Sequence, residues 1–209
     1  MLESKDRIIR YLESIPGQDH KIVFIGENGE IYNISGVTIS GDQIEFIMHL
    51  AKPEVVIYFV YMDGSCRDGV GGFAYSIQAV TDLRQIPPKA FQVEFVSSHI
   101  EGPCTNNRAE LMAAITALSS IKQSIDQGDH KISSGVPIVC FSDSDYLVKT
   151  MCGEFKQKTN LDLWSLLSEL SKGRKIVWKH ADDKYPEIKR CHNAAFSEVQ
   201  KCIAESKSV

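Results

Sequence analysis

Residues 105–115 read Thr-Asn-Asn-Arg-Ala-Glu-Leu-Met-Ala-Ala-Ile, a short polar stretch that leads directly into an apolar pattern. Residues that favour helices follow one another from Ala109 onward, and Glu110 is the one acidic side chain among them. The pattern predicts a helix over residues 107–123, with Glu110 near its start and directed toward the core. Glu110 is therefore the first candidate site residue.

Two further carboxylates lie where apolar strands end, one on each side of this stretch. Asp63 follows the run Val-Val-Ile-Tyr-Phe-Val-Tyr at 55–61, which is typical of a central strand covered on both faces. Asp143 follows a strand predicted over 136–141. Hard oxygen ligands from separate elements are what Mg²⁺ prefers in proteins. The sequence therefore predicts that Asp63, Glu110 and Asp143 meet in a divalent-metal site.

The elements around these acids alternate in an order typical of an α/β protein. Besides the segments already named, strands are predicted at 73–80, 91–98 and 175–179, and helices at 145–151, 161–171 and 193–204. Three strands in a meander, followed by alternating helices and strands, predict a mixed sheet with helices on its faces.

Residues 1–53 have a different pattern and are predicted to form a small α+β appendage before a domain at 54–209. The appendage is predicted to contain a helix at 4–15, strands at 21–25, 31–35 and 37–40, and an ambiguous segment at 43–50. Its sequence resembles no module that we recognise, and its role stays open.

Composition limits the classes of function. No apolar run approaches the roughly 18 residues of a membrane span, so no membrane partner is expected. The 6 cysteines show no paired spacing and indicate reduced thiols in a cytoplasmic protein. The net charge of −4 argues mildly against a nucleic-acid partner, but residues 172–190 hold 7 basic against 3 acidic side chains. Such local positive charge matters more for phosphate contact than the net charge does.

The motifs resemble, in order and spacing, the signature blocks of type 1 ribonuclease H. They are Asp63-Gly64-Ser65, residues 105–114, residues 142–146, residues 160–164 and residues 180–191. The resemblance covers about residues 55–205. It implies the ribonuclease H-like fold, a five-stranded mixed sheet whose first three strands are antiparallel. It also implies endonucleolytic hydrolysis of the RNA strand of RNA/DNA hybrids with two ions of Mg²⁺ or Mn²⁺.

The resemblance also implies a role for each acid. Asp63 would bridge the two ions, and Glu110 and Asp143 would complete the site on the leaving-group side. Glu110 would in addition sense ribose 2′-hydroxyl groups, which distinguish RNA from DNA. His180 lies where the family places a histidine that assists proton transfer or product release.

Further positions are implied to contact nucleic acid. They are Gly64, Ser65, Cys66, Asn106, Asn107 and Asp145. Asparagines also start helices, which is the alternative explanation for Asn106 and Asn107. A carboxylate at position 145 should repel phosphate unless it takes part in metal binding. Trp164 and Trp178 are expected in the core rather than stacked on bases.

One position departs from the family where the chemistry depends on it. The family's fourth carboxylate should follow Arg190 and Cys191, and this chain has His192 there. Imidazole is a poor ligand for Mg²⁺ but acceptable to Mn²⁺. His192 therefore either ligates Mn²⁺, or is replaced by a nearby acid acting through water, or leaves the site impaired. We expect retained activity, reduced in Mg²⁺ and with Mn²⁺ preferred.

Two functions of different class follow from these residues. The first is a metal-dependent endoribonuclease acting on RNA/DNA hybrids. The alternative is a catalytically impaired domain of the same fold that binds nucleic acid or a protein partner, for which residues 1–53 offer a surface. A nuclease for double-stranded RNA fits the Thr-Asn-Asn-Arg block less well.

Overall fold

The computed structural model describes residues 23–25, 31–40, 43–50, 55–84, 86–128, 132 and 135–206, and the chain divides into two units, Met1–Pro53 and Glu54–Val209. In the first unit an antiparallel sheet is formed by β1 (Val23–Ile25), β2 (Ile31–Ser40) and β3 (Gln43–Leu50). The two strands predicted at 31–35 and 37–40 are one strand with a bulge between Ile34 and Gly36, where a glycine interrupts the ladder. The helix predicted at 4–15 lies outside the described residues.

The second unit contains a five-stranded sheet. Its strands are β4 (Ile57–Arg67), β5 (Val70–Asp82), β6 (Lys89–Ile100), β7 (Ile138–Ser142) and β8 (Ile176–His180), in the order β6-β5-β4-β7-β8. β4, β5 and β6 are antiparallel, whereas β4–β7 and β7–β8 are parallel. The predicted mixed sheet with an antiparallel first half is confirmed, and the apolar run at 55–61 supplies its central strand.

Four helices of the second unit accompany this sheet. They are α1 (Asn106–Asp126), α2 (Asp145–Met151), α3 (Leu161–Ser171) and α4 (Pro186–Ser206). α1 packs against β4, β5 and α3, while α4 packs against β4, β5 and β6. Among the described helices, none combines the length and apolar character needed to cross a bilayer.

The sheet separates two apolar cores because side chains alternate between its faces. Val60 and Met62 of β4 join the larger core, which includes α1 and the fully buried Trp164. Tyr61 joins a smaller core with residues of α4, among them Cys191 and Ala195. The expected core position of Trp164 is thus confirmed, and both α1 and α4 are held against the strand that carries Asp63.

The last helix begins earlier than its sequence predicts. The predicted start at 193 is wrong, because α4 begins at Pro186. Proline is favoured in the first turn of a helix, where its missing N–H leaves no hydrogen bond unmade. Buried residues then recur at Ile188, Cys191, Ala195 and Val199, which is helical spacing. His192 consequently lies within α4 rather than before it.

Candidate active site

Three of the predicted site residues come together at one edge of the sheet. Asp63 lies on β4, Asp143 directly follows β7, and His192 lies on α4. Each offers a ligand atom such that all three atoms lie within 4.8 Å of one another. The two aspartates meet because β4 and β7 are parallel neighbours with Tyr61 opposite Phe141, so Asp63 and Asp143 each lie two residues farther along adjacent strands. The predicted position of Asp63 after the end of its strand is wrong, because β4 continues to Arg67. Two carboxylates and an imidazole at this separation can hold a metal ion.

Asp63 is the buried member of this triplet. Its side chain is 2% exposed, and its Oδ1 accepts a hydrogen bond of 2.7 Å from the backbone N–H of Gly64. Burial raises the pKa of Asp63, the negative charge of Asp143 raises it further, and His192 partly counteracts both. A buried carboxylate next to a second carboxylate favours an added positive charge.

Glu110 lies beside the triplet because α1 approaches β4 at Gly64. A Cβ atom at Gly64 would lie 2.2 Å from the backbone carbon of Ala109 and 2.3 Å from the backbone nitrogen of Glu110, so only glycine fits there. Glu110 is 9% exposed, and its Oε2 is buried with no hydrogen-bond partner among the described residues. Burial raises its pKa well above the ordinary value, and Asp63 and then Asp143 add to the effect.

This unpartnered oxygen tests whether the site suits a cation. A buried polar atom without a partner is costly in a folded protein. Here the atom belongs to a third carboxylate packed against Asp63 and Asp143, so an added cation would relieve both the missing partner and the repulsion among the acids. The residues therefore fit a divalent metal ion, which Asp63, Glu110, Asp143 and His192 would hold.

His192 contacts Asp63 directly. Its Nδ1 lies 2.8 Å from Asp63 Oδ2, and its side chain is 57% exposed. An ionised carboxylate only accepts hydrogen bonds, so an ionised Asp63 requires Nδ1 of His192 to be the donor. A metal ion on Asp63 Oδ2 would compete with that hydrogen bond.

His180 and Asp145 form a second group at the same edge. His180 Nε2 lies 3.0 Å from the backbone oxygen of Asp143 and 3.8 Å from Asp145 Oδ1. Asp145 also accepts a hydrogen bond of 2.8 Å from Lys149 Nζ, which lowers the pKa of Asp145. The expectation that Asp145 repels phosphate did not take Lys149 into account. The spacing of four residues between Asp145 and Lys149 on a predicted helix already indicated this ion pair.

The predicted nucleic-acid positions other than Asp145 lie at the N-terminus of α1 and on the last part of β4. Thr105 is the N-cap, with its side chain accepting from the N–H of Arg108, so Asn106 and Asn107 begin the helix without capping it. Both asparagines are exposed, and Asn106 Oδ1 accepts a hydrogen bond of 3.0 Å from the backbone N–H of Cys66. Gly64 and Ser65 complete this end of β4 and are half-buried.

An ion pair that the sequence did not reveal secures this region. Arg108 Nη2 lies 3.0 Å from Asp162 Oδ2, and its Nη1 lies 3.3 Å from both Asp162 Oδ1 and Asn160 Oδ1. The two-pronged contact links α1 to the start of α3. Arg108 therefore positions α1 rather than standing free for a phosphate.

The family follows from a match over most of this unit. The sequence profile described as RNase H matches residues 56–183. The chain belongs to the ribonuclease H family. A ribonuclease H of Campylobacter jejuni is 30% identical over 159 residues, covering 70% of this chain and 94% of that protein. A ribonuclease H of Campylobacter concisus is 30% identical over 155 residues, covering 72% and 98%.

Solved ribonucleases H share the fold. The RNase H1 called LC11, in complex with an RNA/DNA hybrid, has a TM-score of 0.56 and 21% identity, covering 70% of this chain and 99% of that one. The N-terminal RNase H domain of a Mycobacterium tuberculosis protein, solved as a fusion with maltose-binding protein, has a TM-score of 0.58 and 17% identity, covering 72% and 99%. The ribonuclease H-like fold predicted from the motifs is thereby confirmed.

Proposed function

We propose that this ribonuclease H hydrolyses the RNA strand of RNA/DNA hybrids endonucleolytically, leaving 5′-phosphate and 3′-hydroxyl ends. The observation that carries the proposal is the convergence of Asp63, Asp143 and His192, with the unpartnered Oε2 of Glu110 beside them, in a member of this family. The similarity to a ribonuclease H solved on an RNA/DNA hybrid supports this substrate.

Divalent ions in this site would supply an activated water and stabilise charge on the leaving oxygen. The chain's own residues supply the rest. Asp63, the buried member of the triplet, would serve both ions, as the resemblance to the family implies. Glu110 and Asp143 would serve the leaving-group side. Gly64 keeps Glu110 near Asp63 by letting the two backbones touch.

Substrate recognition is proposed to lie at the N-terminus of α1 and the end of β4. Asn106 and Asn107 are exposed there, and the bond from Cys66 N–H to Asn106 Oδ1 fixes the first of them. Together with Gly64 and Ser65, they would face the shallow minor groove, where 2′-hydroxyl groups are displayed. Asp145 would face the substrate at the margin of this surface, where its negative charge is offset by its ion pair with Lys149.

His180 is proposed to assist proton transfer at the leaving group. Its Nε2 lies 3.0 Å from the Asp143 backbone oxygen, and nearly half of its side chain is exposed, so solvent and substrate both reach it. An imidazole can accept a proton at one ring nitrogen and donate one from the other.

His192 is proposed to make the enzyme prefer Mn²⁺. An imidazole nitrogen replaces a carboxylate oxygen within the triplet, and nitrogen ligands suit Mn²⁺ better than Mg²⁺. The hydrogen bond from His192 to Asp63 also favours the second candidate function, an impaired domain that binds nucleic acid or a partner, because the bond must break before Asp63 Oδ2 is free.

The nuclease unit is proposed to span 54–209, with residues 1–53 as an appendage that offers a surface for a protein partner. All 6 cysteines are free thiols, which supports a reducing compartment such as the cytoplasm.

Cleavage of a labelled RNA/DNA hybrid tests the function. The wild type and Asp143→Asn are compared on the hybrid, on double-stranded RNA and on DNA, each in Mn²⁺ and in Mg²⁺. We expect the wild type to cut the RNA strand of the hybrid alone, and Asp143→Asn to be inactive. Tight hybrid binding without cleavage in either metal would favour the impaired domain, and equal cutting of double-stranded RNA would contradict the substrate assignment.

A further inference from the structure

Two cysteines converge beside the candidate active site, and the proposed chemistry uses neither thiol. Cys66 lies on β4 three residues after Asp63, and Cys104 immediately precedes the N-cap Thr105. The Sγ of Cys66 donates to the backbone oxygen of Cys104 at 3.0 Å, and the Sγ of Cys104 donates to the backbone oxygen of Thr105 at 3.3 Å.

The neighbouring strand leaves room for the Cys104 sulfur beside Cys66. Gly71 on β5 is the cross-strand partner of Cys66, and a Cβ atom at Gly71 would lie 2.5 Å from Cys104 Sγ. The sulfur of Cys104 therefore lies over the residue that pairs with Cys66. A hydrogen bond of 2.9 Å from Cys104 N–H to the Gly69 oxygen holds this segment against the hairpin.

The two thiols differ in access. Cys66 is partly exposed, whereas Cys104 is 7% exposed. Burial, followed by the nearby Cys66 thiol, raises the pKa of Cys104 to about 11. A reagent from solvent therefore reaches Cys66 first, and Cys104 can react only with a mixed disulfide already formed on Cys66.

We propose that Cys66 and Cys104 form a thiol-oxidation site that closes to a disulfide when a small-molecule disulfide oxidises Cys66. The Cys66 thiolate attacks one sulfur of glutathione disulfide and expels one glutathione thiolate. The Cys104 thiolate then attacks the Cys66 sulfur and expels the second. Two protein thiols lose two electrons and two protons to form one disulfide, and the reagent is reduced to two thiols.

Closing this disulfide is expected to lower hybrid cleavage, a step that rests on the proposed function. The Cys66 sulfur leaves the Cys104 oxygen, and a bond of fixed geometry then ties the end of β4 to the start of α1. Asn106, which Cys66 holds through its backbone N–H, shifts with it. Small displacements of substrate-positioning groups are costly to catalysis, so we expect a loss of about tenfold.

Mapping disulfides in the full chain tests the site without reference to nuclease activity. The protein is incubated with oxidised glutathione at about pH 8, free thiols are alkylated, and peptides are identified by mass spectrometry. The wild type and Cys152→Ser, which removes an exposed thiol elsewhere, should both give a linked Cys66–Cys104 peptide. Cys104→Ser should instead keep glutathione on Cys66. A wild type that keeps glutathione on Cys66, or links either cysteine elsewhere, would overturn the proposal.

Cleavage before and after reduction tests the consequence. The oxidised wild type should lose about tenfold in hybrid cleavage and recover with dithiothreitol, and reduced Cys104→Ser should cleave as the reduced wild type does. A linked peptide with unchanged cleavage would overturn the inhibitory step. Reduced wild type that never cleaves would contradict the proposed function instead, and the peptide map would still decide the thiol site.

Discussion

The two helices that border the site contribute opposite kinds of side chain. From α1 comes Glu110, which is buried, acidic and without a partner for its Oε2. From α4 comes His192, which is largely exposed and already hydrogen-bonded to Asp63. The α1 side therefore offers a buried oxygen that a cation would satisfy, whereas His192 on the α4 side is hydrogen-bonded without a metal ion.

This difference separates two properties of the site. Binding of a cation follows from the crowded acids Asp63, Glu110 and Asp143, which repel one another. The choice of cation follows from His192, because the ligand type at that position distinguishes Mn²⁺ from Mg²⁺. Changes on the α1 side should therefore abolish function, whereas changes on the α4 side should alter its metal dependence.

Glu110→Gln should have the largest effect. It keeps the shape of the side chain but removes the charge that a metal ion requires, and we expect hybrid cleavage to fall by about a thousandfold. Glu169→Gln is the matched control, because Glu169 is exposed on α3. Single-turnover cleavage at saturating Mn²⁺ measures the effect. Activity in Glu110→Gln within tenfold of the control would remove Glu110 from the metal site.

Gly64→Ala should have the second-largest effect, because it disrupts a backbone contact and leaves the charges of the site unchanged. The added methyl group would overlap Ala109 and Glu110, so α1 must move away from β4. We expect a loss of unfolding free energy of about 3 kcal/mol, measured by urea denaturation. Ser65→Ala on the same strand should change it by less than about 0.5 kcal/mol. Equal stability of the two variants would refute the close approach.

The metal-free protein should depend on pH in a way that Glu110→Gln removes. Burial raises the folded-state pKa of Glu110, so the folded state binds this proton more tightly than the unfolded chain does. Its stabilising contribution is full below the ordinary carboxyl range and is lost as pH rises through the raised pKa. In EDTA at neutral pH, Glu110→Gln should therefore melt a few degrees above wild type, and the gap should close in acid. A lower melting temperature for the variant would contradict this sign.

Asp145→Asn should have the smallest effect. It frees Lys149 from its ion pair at an exposed position, so the hybrid should bind about twofold more tightly at low salt and equally at high salt. Asp126→Asn is the matched control, because Asp126 pairs with Lys122 at the same helical spacing on α1. Weaker binding specific to Asp145→Asn would mean that the carboxylate itself serves the substrate, through His180.

Much of the fold could be predicted from the sequence because the patterns that indicate helices and strands are local. The apolar run at 55–61 predicted the central strand, and α2 and α3 have the predicted bounds. The start of α4 was missed because Cys191, His192 and Asn193 are weak helix formers, and they hid the helical spacing that begins at Pro186.

Less of the site could be predicted from the sequence, because its contacts join residues that are far apart in the chain. The acids at strand ends predicted that Asp63 and Asp143 meet, and the roles of all the site residues remain predictions. The hydrogen bond between His192 and Asp63 spans 129 residues, and the contact of Arg108 with Asp162 spans 54. No spacing pattern encodes such pairs; they depend on how α4 and α3 pack on the rest of the unit.

The most direct test of the account is the metal dependence of hybrid cleavage by the wild type and His192→Asp, with Mn²⁺ and Mg²⁺ each titrated to saturation. We predict that the wild type is faster in Mn²⁺, and that His192→Asp gains about tenfold in Mg²⁺ and loses the preference. Equal wild-type rates in the two metals, unchanged by His192→Asp, would contradict the assignment of metal choice to α4.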